Sequence, residues 1–274
     1  MKIKFNKILV YLFVVFALLF IVGPFVYISM LAFKLPIHLL MAQFPFPPTW
    51  YNFHYVLFAK SADFFSSAYN SIIVASLSTI VVLIVGTLTA YSLAWRKWSI
   101  YVSSIMLGWT LIFQMIPPIT LVGPWFLMFQ KLGLYNTITG LVLTHSVVNL
   151  PLAIWLMMSA FQNIPRELEE AAIIDGCKRW HALQKILLPL VVPGLISAGL
   201  LAFLFSWSEF AIALNLTAKG GYTIPITLSN YATRYDIEHG AMASVSVLAS
   251  IPAIFLMFIG QRFIIRGLTS GALK

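Results

Sequence analysis

The residues with chemistry to offer fall into two groups. One is a run of charge between residues 163 and 188: Arg166, Glu167, Glu169, Glu170, Asp175, Lys178, Arg179 and Lys185. The other is a handful of polar groups inside apolar stretches: Gln114, His145 with Asn149 four residues on, and Glu209. Neither group has the spacing of a catalytic constellation. The chain contains no Gly-x-Ser-x-Gly nucleophile turn, no Gly-x-x-x-x-Gly-Lys-Ser/Thr phosphate loop and no cysteine–histidine metal set. Its single cysteine, Cys177, can form no disulfide within the chain and reads as a small, partly buried thiol. These groups can dock, cap helices and line a polar route. An enzyme, or nucleotide hydrolysis by this chain alone, is not expected.

The elements that must position them are membrane helices. Of 274 residues, 61% are hydrophobic and 9% charged, with a mean hydropathy of +0.93. A soluble domain would carry about 25% charged residues. Runs long enough for a bilayer of about 20 residues per span occur at residues 8–33, 71–94, 102–128, 137–160, 190–214 and 241–263. The fold class is therefore all-α: a polytopic transmembrane bundle of six spans, forming one domain over residues 1–274. The first run follows Lys2, Lys4 and Lys7 as a secretory signal would. It exceeds the about 7–15 residues of a signal core and has no clean cleavage site, so it is expected to stay as a span. Pro117, Pro118 and Pro124 predict a kink or interruption in the third span. Phe44-Pro45-Phe46-Pro47-Pro48 forbids one continuous helix after the first span, and Trp50, Tyr51, Phe53, His54 and Tyr55 suit the headgroup level. Gly86, Gly108 and Gly199 read as close-packing positions.

Charge orients the bundle. Twelve of the 17 basic residues (Lys2, Lys4, Lys7, Arg96, Lys97, Arg166, Lys178, Arg179, Lys185, Arg262, Arg266 and Lys274) fall on one side of a six-span chain. Lys34, Lys60, Lys131, Lys219 and Arg234 fall on the other. Basic residues near span ends resist translocation, so the richer side, with both termini, is expected in the cytoplasm. The formal charge of +9 is thus a topology signal and does not call for nucleic acid as a partner.

The charged segment is longer than a turn between spans requires. Asn163 is expected to cap a short helix with Pro165 in its first turn and Glu167, Glu169 and Glu170 near its positive end. Ile164, Leu168 and Ala171 or Ala172 give it an apolar stripe. Gly176 can end it in a left-handed conformation. A second helix with Trp180, Leu183 and Leu187 on one face should stop at Pro189. The product is a helix–Gly–helix elbow that either meets a soluble partner or rests on the membrane surface.

Among the polar residues inside the bilayer, Glu209 lies 18 residues after Val191, about 27 Å along a helix, near the outer end of the fifth span. It can pair within the bundle, reach the interface or line a route. His145 and Asn149 share a helix face and either line a cavity or join helices; Gln114 is equally open.

Glu170-Ala171-Ala172-x-x-Asp175-Gly176, followed by Ile186-Leu187-Leu188-Pro189, resembles the EAA loop of permease subunits in binding-protein-dependent ABC importers. More specifically, the chain resembles maltose-type sugar permeases. That likeness rests on Ile164-Pro165-x-Glu167-Leu168-Glu169-Glu170, on Ser206-Trp207-Ser208-Glu209-Phe210 with Ser208 in place of asparagine, and on a tail through Arg266-Gly267-Leu268 to Gly271-Ala272-Leu273-Lys274. The resemblance implies an inner-membrane permease of a prokaryote, moving an oligosaccharide, disaccharide or polyol by ATP-driven alternating access. It implies a second homologous permease, two cytoplasmic ATP-binding subunits and an extracytoplasmic solute-binding protein. ATP and Mg would sit on the ATP-binding subunits, with no cofactor on this chain. Glu169, Glu170, Ala171, Ala172, Asp175 and Gly176 would form the ATPase-coupling surface, and Gln114, His145, Asn149 and Glu209 are candidates for the translocation path. A bulky charge at Ala172 or Gly176 is expected to uncouple ATP hydrolysis from transport. The alternatives are an importer permease for a non-sugar solute, or an autonomous secondary transporter or channel.

Overall fold

The computed structural model describes residues 2–59, 63–96, 98–232 and 237–269. Lys60, Lys97, Arg234, Gly271, Ala272, Leu273 and Lys274, which entered the sequence reading, lie outside the described residues. The described residues fold mainly into helices: α1 Lys2–Ala32, α2 Pro36–Leu40, α3 Tyr51–Phe58, α4 Phe64–Trp95, α5 Ile100–Met115, α6 Pro118–Leu132, α7 Ile138–Gln162, α8 Glu167–Ile174, α9 Arg179–Ala182, a π turn Leu183–Leu187, α10 Leu188–Ser208, α11 Ala211–Leu216, α12 Ile224–Asn230 and α13 His239–Thr269. Among the described residues, five helical runs are long and apolar enough to cross a membrane: Leu9–Ala32, Phe64–Trp95, Ile138–Gln162, Arg179–Ser208 and His239–Gln261. A sixth is made by α5 and α6 taken together, bent by 96°. The protein is an all-α polytopic membrane bundle of five to six spans.

Two breaks depart from continuous spans. Between α5 and α6, Ile116 and Pro117 take extended ψ angles of 119° and 128°. Adjacent prolines at 117 and 118 bar the helical conformation for the residue before each and remove two donors, so the bend is a full interruption. The fifth span was expected to run to residue 214, but α10 ends at Ser208 and Glu209 turns extended, with ψ 127°. No proline or glycine marks this break. It is held by the Glu209 side chain, which folds forward onto the next helix.

The elbow also differs locally from expectation. Asn163 does not start α8; it closes α7, its side chain donating to the Ser159 carbonyl at 2.9 Å. Arg166 occupies the position before α8. Pro189 does not stop the second helix, because the π turn widens the ladder: the Leu188 N–H reaches the Leu183 carbonyl, five residues back. Pro189 then falls in the first turn of α10, where a missing N–H is tolerated.

Cα packing divides the chain into two units. The first combines Met1–Phe65 with Ile226–Ile251. Here Asn52 seals the end of α1, its amide donating to the carbonyls of Ala32 at 3.0 Å and Lys34 at 2.7 Å. Phe33, Trp50 and Phe53 pack edge-on or tilted around this joint with centroids 5.0–5.3 Å apart. Lys34 is buried, donates to the Gln43 carbonyl at 3.0 Å and lies 4.7 Å from the centre of the Phe46 ring. The apolar side chains of α1 from Leu9 to Ile28 are mostly exposed, as suits a lipid-facing helix.

The second unit combines Ser66–Pro225 with Pro252–Lys274. Its core joins α4, α7, the π turn and α10 through Val82, Tyr91, Trp95, Met157, Phe161, Leu183, Leu187 and Val191. Small residues set the approach: a Cβ on Gly194 would lie 2.6 Å from the Ala160 Cβ, one on Gly86 3.2 Å from the Met157 sulfur, and one on Gly199 3.2 Å from Leu83. Gly108, expected to pack closely, faces open space. At the far end, Asn70 donates to the Gly220 and Tyr222 carbonyls at 3.0 and 2.9 Å, and Asn136 accepts from the Ala218 N–H at 2.8 Å. These bonds pin the loop that follows α11.

Candidate functional site

The two breaks open onto one cavity of about 430 Å³. Gln114 and Pro118 line it from the first break, Ser208, Glu209, Phe210, Ala211 and Ile212 from the second, and His145, Val148, Asn149 and Leu152 from α7. Gln114, the α7 pair His145 and Asn149, and Glu209 come from well-separated stretches of the chain, and the structure brings all four to this space. The Glu209 carboxylate is tied down at α11: Oε1 accepts from the Ile212 N–H at 2.8 Å and Oε2 from the Ala213 N–H at 2.9 Å. These are the free donors of a helix start, where a negative charge is favoured.

His145 is 1% exposed. Its Nδ1 lies 2.7 Å from the Ser206 hydroxyl, which accepts from the Ser78 hydroxyl of α4 at 3.1 Å. The Ser78 hydroxyl also lies 3.2 Å from the Ala75 carbonyl, and Ser206 engages Nδ1, which leaves Nε2 as the other ring nitrogen. That nitrogen has no hydrogen-bond partner and stands 3.5 Å from Glu209 Oε2. Asn149 spends one amide proton on the His145 carbonyl at 2.8 Å. The cavity is lined by an imidazole, a carboxylate and two side-chain amides beside the rings of Phe205 and Phe210, a set that can bind a neutral polar solute. Ser78, Ser206 and Phe205 were missed as members; only Ser206 had a cue in sequence, as the first residue of the Ser-Trp-Ser-Glu-Phe run.

In the elbow, Gly176 takes φ +81° and ends α8, as its spacing requires. Glu170, Ala171, Asp175 and Gly176 are exposed, whereas Glu169 and Ala172 are buried. Glu169 accepts from the Tyr91 hydroxyl of α4 and lies 3.9 Å from the Arg96 guanidinium. Arg96 donates to the same hydroxyl at 2.7 Å, and Arg166 donates to the Ala94 carbonyl at 3.2 Å. A charged side chain at Ala172 would thus strike the elbow's own packing before any outside surface. The apolar stripe is split: Ala172, Leu183 and Leu187 turn inward, while Leu168, Ile173, Ile174 and Trp180 face out, Ile174 at 85% exposure.

The family described as binding-protein-dependent transport system inner membrane component matches residues 83–270, a stretch that holds both helix breaks and the whole elbow. The chain belongs to this family. It is an inner-membrane permease subunit of an ABC importer, related to sugar-transport permeases. The permease is 37% identical to the trehalose transport system permease protein SugB of Mycobacterium tuberculosis over 77% of this chain and 78% of that one. It is 34% identical to the sulfoquinovosyl glycerol transport system permease protein SmoH of Agrobacterium fabrum, over 84% and 80%. With the trehalose/maltose transport system permease protein MalG of Thermococcus litoralis it shares 33% over 92% and 91%. Among solved structures it resembles a chain of a bacterial ABC transporter involved in import of the acidic polysaccharide alginate, with a TM-score of 0.79 and 22% identity over 94% and 96%. A chain of the MetNI methionine ABC transporter matches with a TM-score of 0.58 and 19% identity over 74% and 94%. The last two show a shared fold, and their differing solutes show that this fold does not by itself select one.

Proposed function

We propose that the permease moves a carbohydrate, an oligosaccharide, disaccharide or polyol, through the cavity at residues 114, 145, 149 and 209 by ATP-driven alternating access. The observation that carries this reading is the meeting of two helix interruptions on one cavity that holds the side chains of Gln114, His145, Asn149 and Glu209. Non-helical backbone at membrane depth is tolerated where it is buried in protein or lines a water-filled space, and broken helices build the solute sites of transporters. Hydroxyl groups match the mixed donors and acceptors of His145, Glu209, Asn149 and Gln114, and sugar C–H faces match Phe205 and Phe210. The trehalose, sulfoquinovosyl glycerol and trehalose/maltose relatives support the carbohydrate class, and the Ser-Trp-Ser-Glu-Phe run supports a maltose-type member.

The elbow is the EAA-type seat for a cytoplasmic ATP-binding subunit. Its outward residues Glu170, Ala171, Ile174, Asp175 and Trp180 form the contact, Gly176 sets the bend, and Glu169 and Ala172 hold the elbow together from inside. Both termini lie with it in the cytoplasm, in line with the basic-residue bias. A second homologous permease, two ATP-binding subunits carrying ATP and Mg, and an extracytoplasmic solute-binding protein complete the assembly. Closure of the ATP-binding pair shifts the elbow, and differential contacts in the two states change access to the cavity.

The test is uptake into proteoliposomes carrying the full complex, with the binding protein supplied outside and a panel of labelled sugars, polyols and amino acids. ATP-dependent accumulation of a sugar or polyol is expected, with loss of coupling in Ile174→Glu on the outward elbow face. Uptake that proceeds without the ATP-binding subunits, or that takes only amino acids, refutes the reading.

A further inference from the structure

We infer that α4 links the elbow to the cavity, with Glu169 as the positioning residue that attaches it. The inference rests on the elbow being the docking surface proposed above. The elbow is already continuous with α7 and, through the π turn, with α10, and Phe161, Leu183 and Leu187 pack beneath it. That apolar contact alone would hold it in place. The structure adds a directional joint to a third helix. Glu169, 7% exposed, accepts from Tyr91, and Arg96 reaches both groups while lying 5.0 Å from the centre of the Tyr91 ring. Trp95 donates to the Phe161 carbonyl at 3.2 Å, and Arg166 binds the last turn of α4 at Ala94.

A buried carboxylate is a poor choice for stability alone, since an apolar side chain of similar volume often holds as well. Its hydrogen bond from Tyr91 has a fixed geometry, and that geometry resists sliding where apolar packing does not. The same helix carries Ser78, about 20 Å from Tyr91 at 1.5 Å per residue. Ser78 donates to Ser206, and Ser206 bonds His145 on the cavity wall. One rigid helix therefore touches the elbow at Tyr91 and the cavity's hydrogen-bond network at Ser78. Elbow motion displaces α4 along with the fourth and fifth spans, and the Ser78–Ser206–His145 contact changes with it.

The experiment measures solute moved per ATP hydrolysed in the reconstituted complex. Glu169→Ala and Tyr91→Phe are each expected to lower the ratio about tenfold, and Glu169→Gln, whose amide oxygen still accepts from Tyr91, to restore most of it. Ser78→Ala lowers the ratio from the other end. Sites this far apart contribute independently unless one element joins them, so the Tyr91→Phe/Ser78→Ala double variant is expected to be no worse than the poorer single one. A double loss equal to the product of the single losses overturns the linkage. So does a wild-type ratio in Tyr91→Phe, which removes one hydroxyl and leaves the fold's apolar contacts in place. Ile174→Glu separates this from the docking reading. If it uncouples while the Glu169 and Tyr91 variants do not, the linkage alone falls; if it keeps the wild-type ratio, the docking reading falls and takes the linkage with it.

Discussion

Replacing Glu209 separates two jobs held by one carboxylate. Its oxygens accept from the Ile212 and Ala213 N–H groups at 2.8 and 2.9 Å, and the side chain is 17% exposed. A hydrogen bond to a charged group contributes about 1.5–3 kcal/mol, and part of that is offset by desolvation of the carboxylate. Glu209→Ala frees both donors at once and is expected to cost about 3 kcal/mol. In Glu209→Gln the amide oxygen keeps one of the two bonds, so the expected cost is about 1 kcal/mol. The six residues of α11 are too few to hold a helix unaided. Its buried Ile212, Ala213 and Leu216 must therefore lose register when the cap is gone. Thermal unfolding of the detergent-solubilised complex reads the stability term, and uptake into proteoliposomes reads the solute term. Glu209→Gln should fold nearly as well as wild type yet need more solute for half-maximal uptake, because the negative charge opposite His145 Nε2 is lost. Wild-type stability in Glu209→Ala would refute the capping account. Unchanged uptake in a folded Glu209→Gln would remove the carboxylate from the solute path.

Two further outcomes follow from packing. Gly194→Ala places two methyl carbons 2.6 Å apart against Ala160, well inside the about 3.5–4.0 Å that carbon atoms accept; a lower unfolding midpoint, worth about 1–3 kcal/mol, is expected, with recovery in the Gly194→Ala/Ala160→Gly double variant. Asn52→Ala leaves the Ala32 and Lys34 carbonyls without their amide donor. Limited proteolysis of the solubilised chain should then cut faster between α1 and α3, with a loss of about 1–3 kcal/mol.

Much of this architecture is written in local sequence. Long apolar runs become spans because a bilayer hides no unpaired backbone, and their length follows from its thickness. Pro117 and Pro118 announce an interruption because proline lacks a donor and restricts the residue before it. Gly176 announces the elbow's turn because a left-handed backbone costs glycine little. The cavity residues could be named as candidates, since a polar group in an apolar span needs a reason to be there.

Their convergence could not. The break at Glu209 carries no local breaker; it exists because the carboxylate finds the free N–H groups of α11, and that becomes favourable only when α11 has somewhere to pack. Pro189 misled in the opposite sense, since a π turn absorbed it. Glu169 and Glu170 are neighbours of one chemical type on one short helix, and sequence cannot say which turns inward. That was settled by Tyr91, 78 residues away, whose hydroxyl waits at the end of α4. Helix formation and membrane crossing depend on each residue's own neighbours in the chain, so they can be read along it. The direction a side chain faces depends on what another helix places opposite, and only the folded bundle decides that.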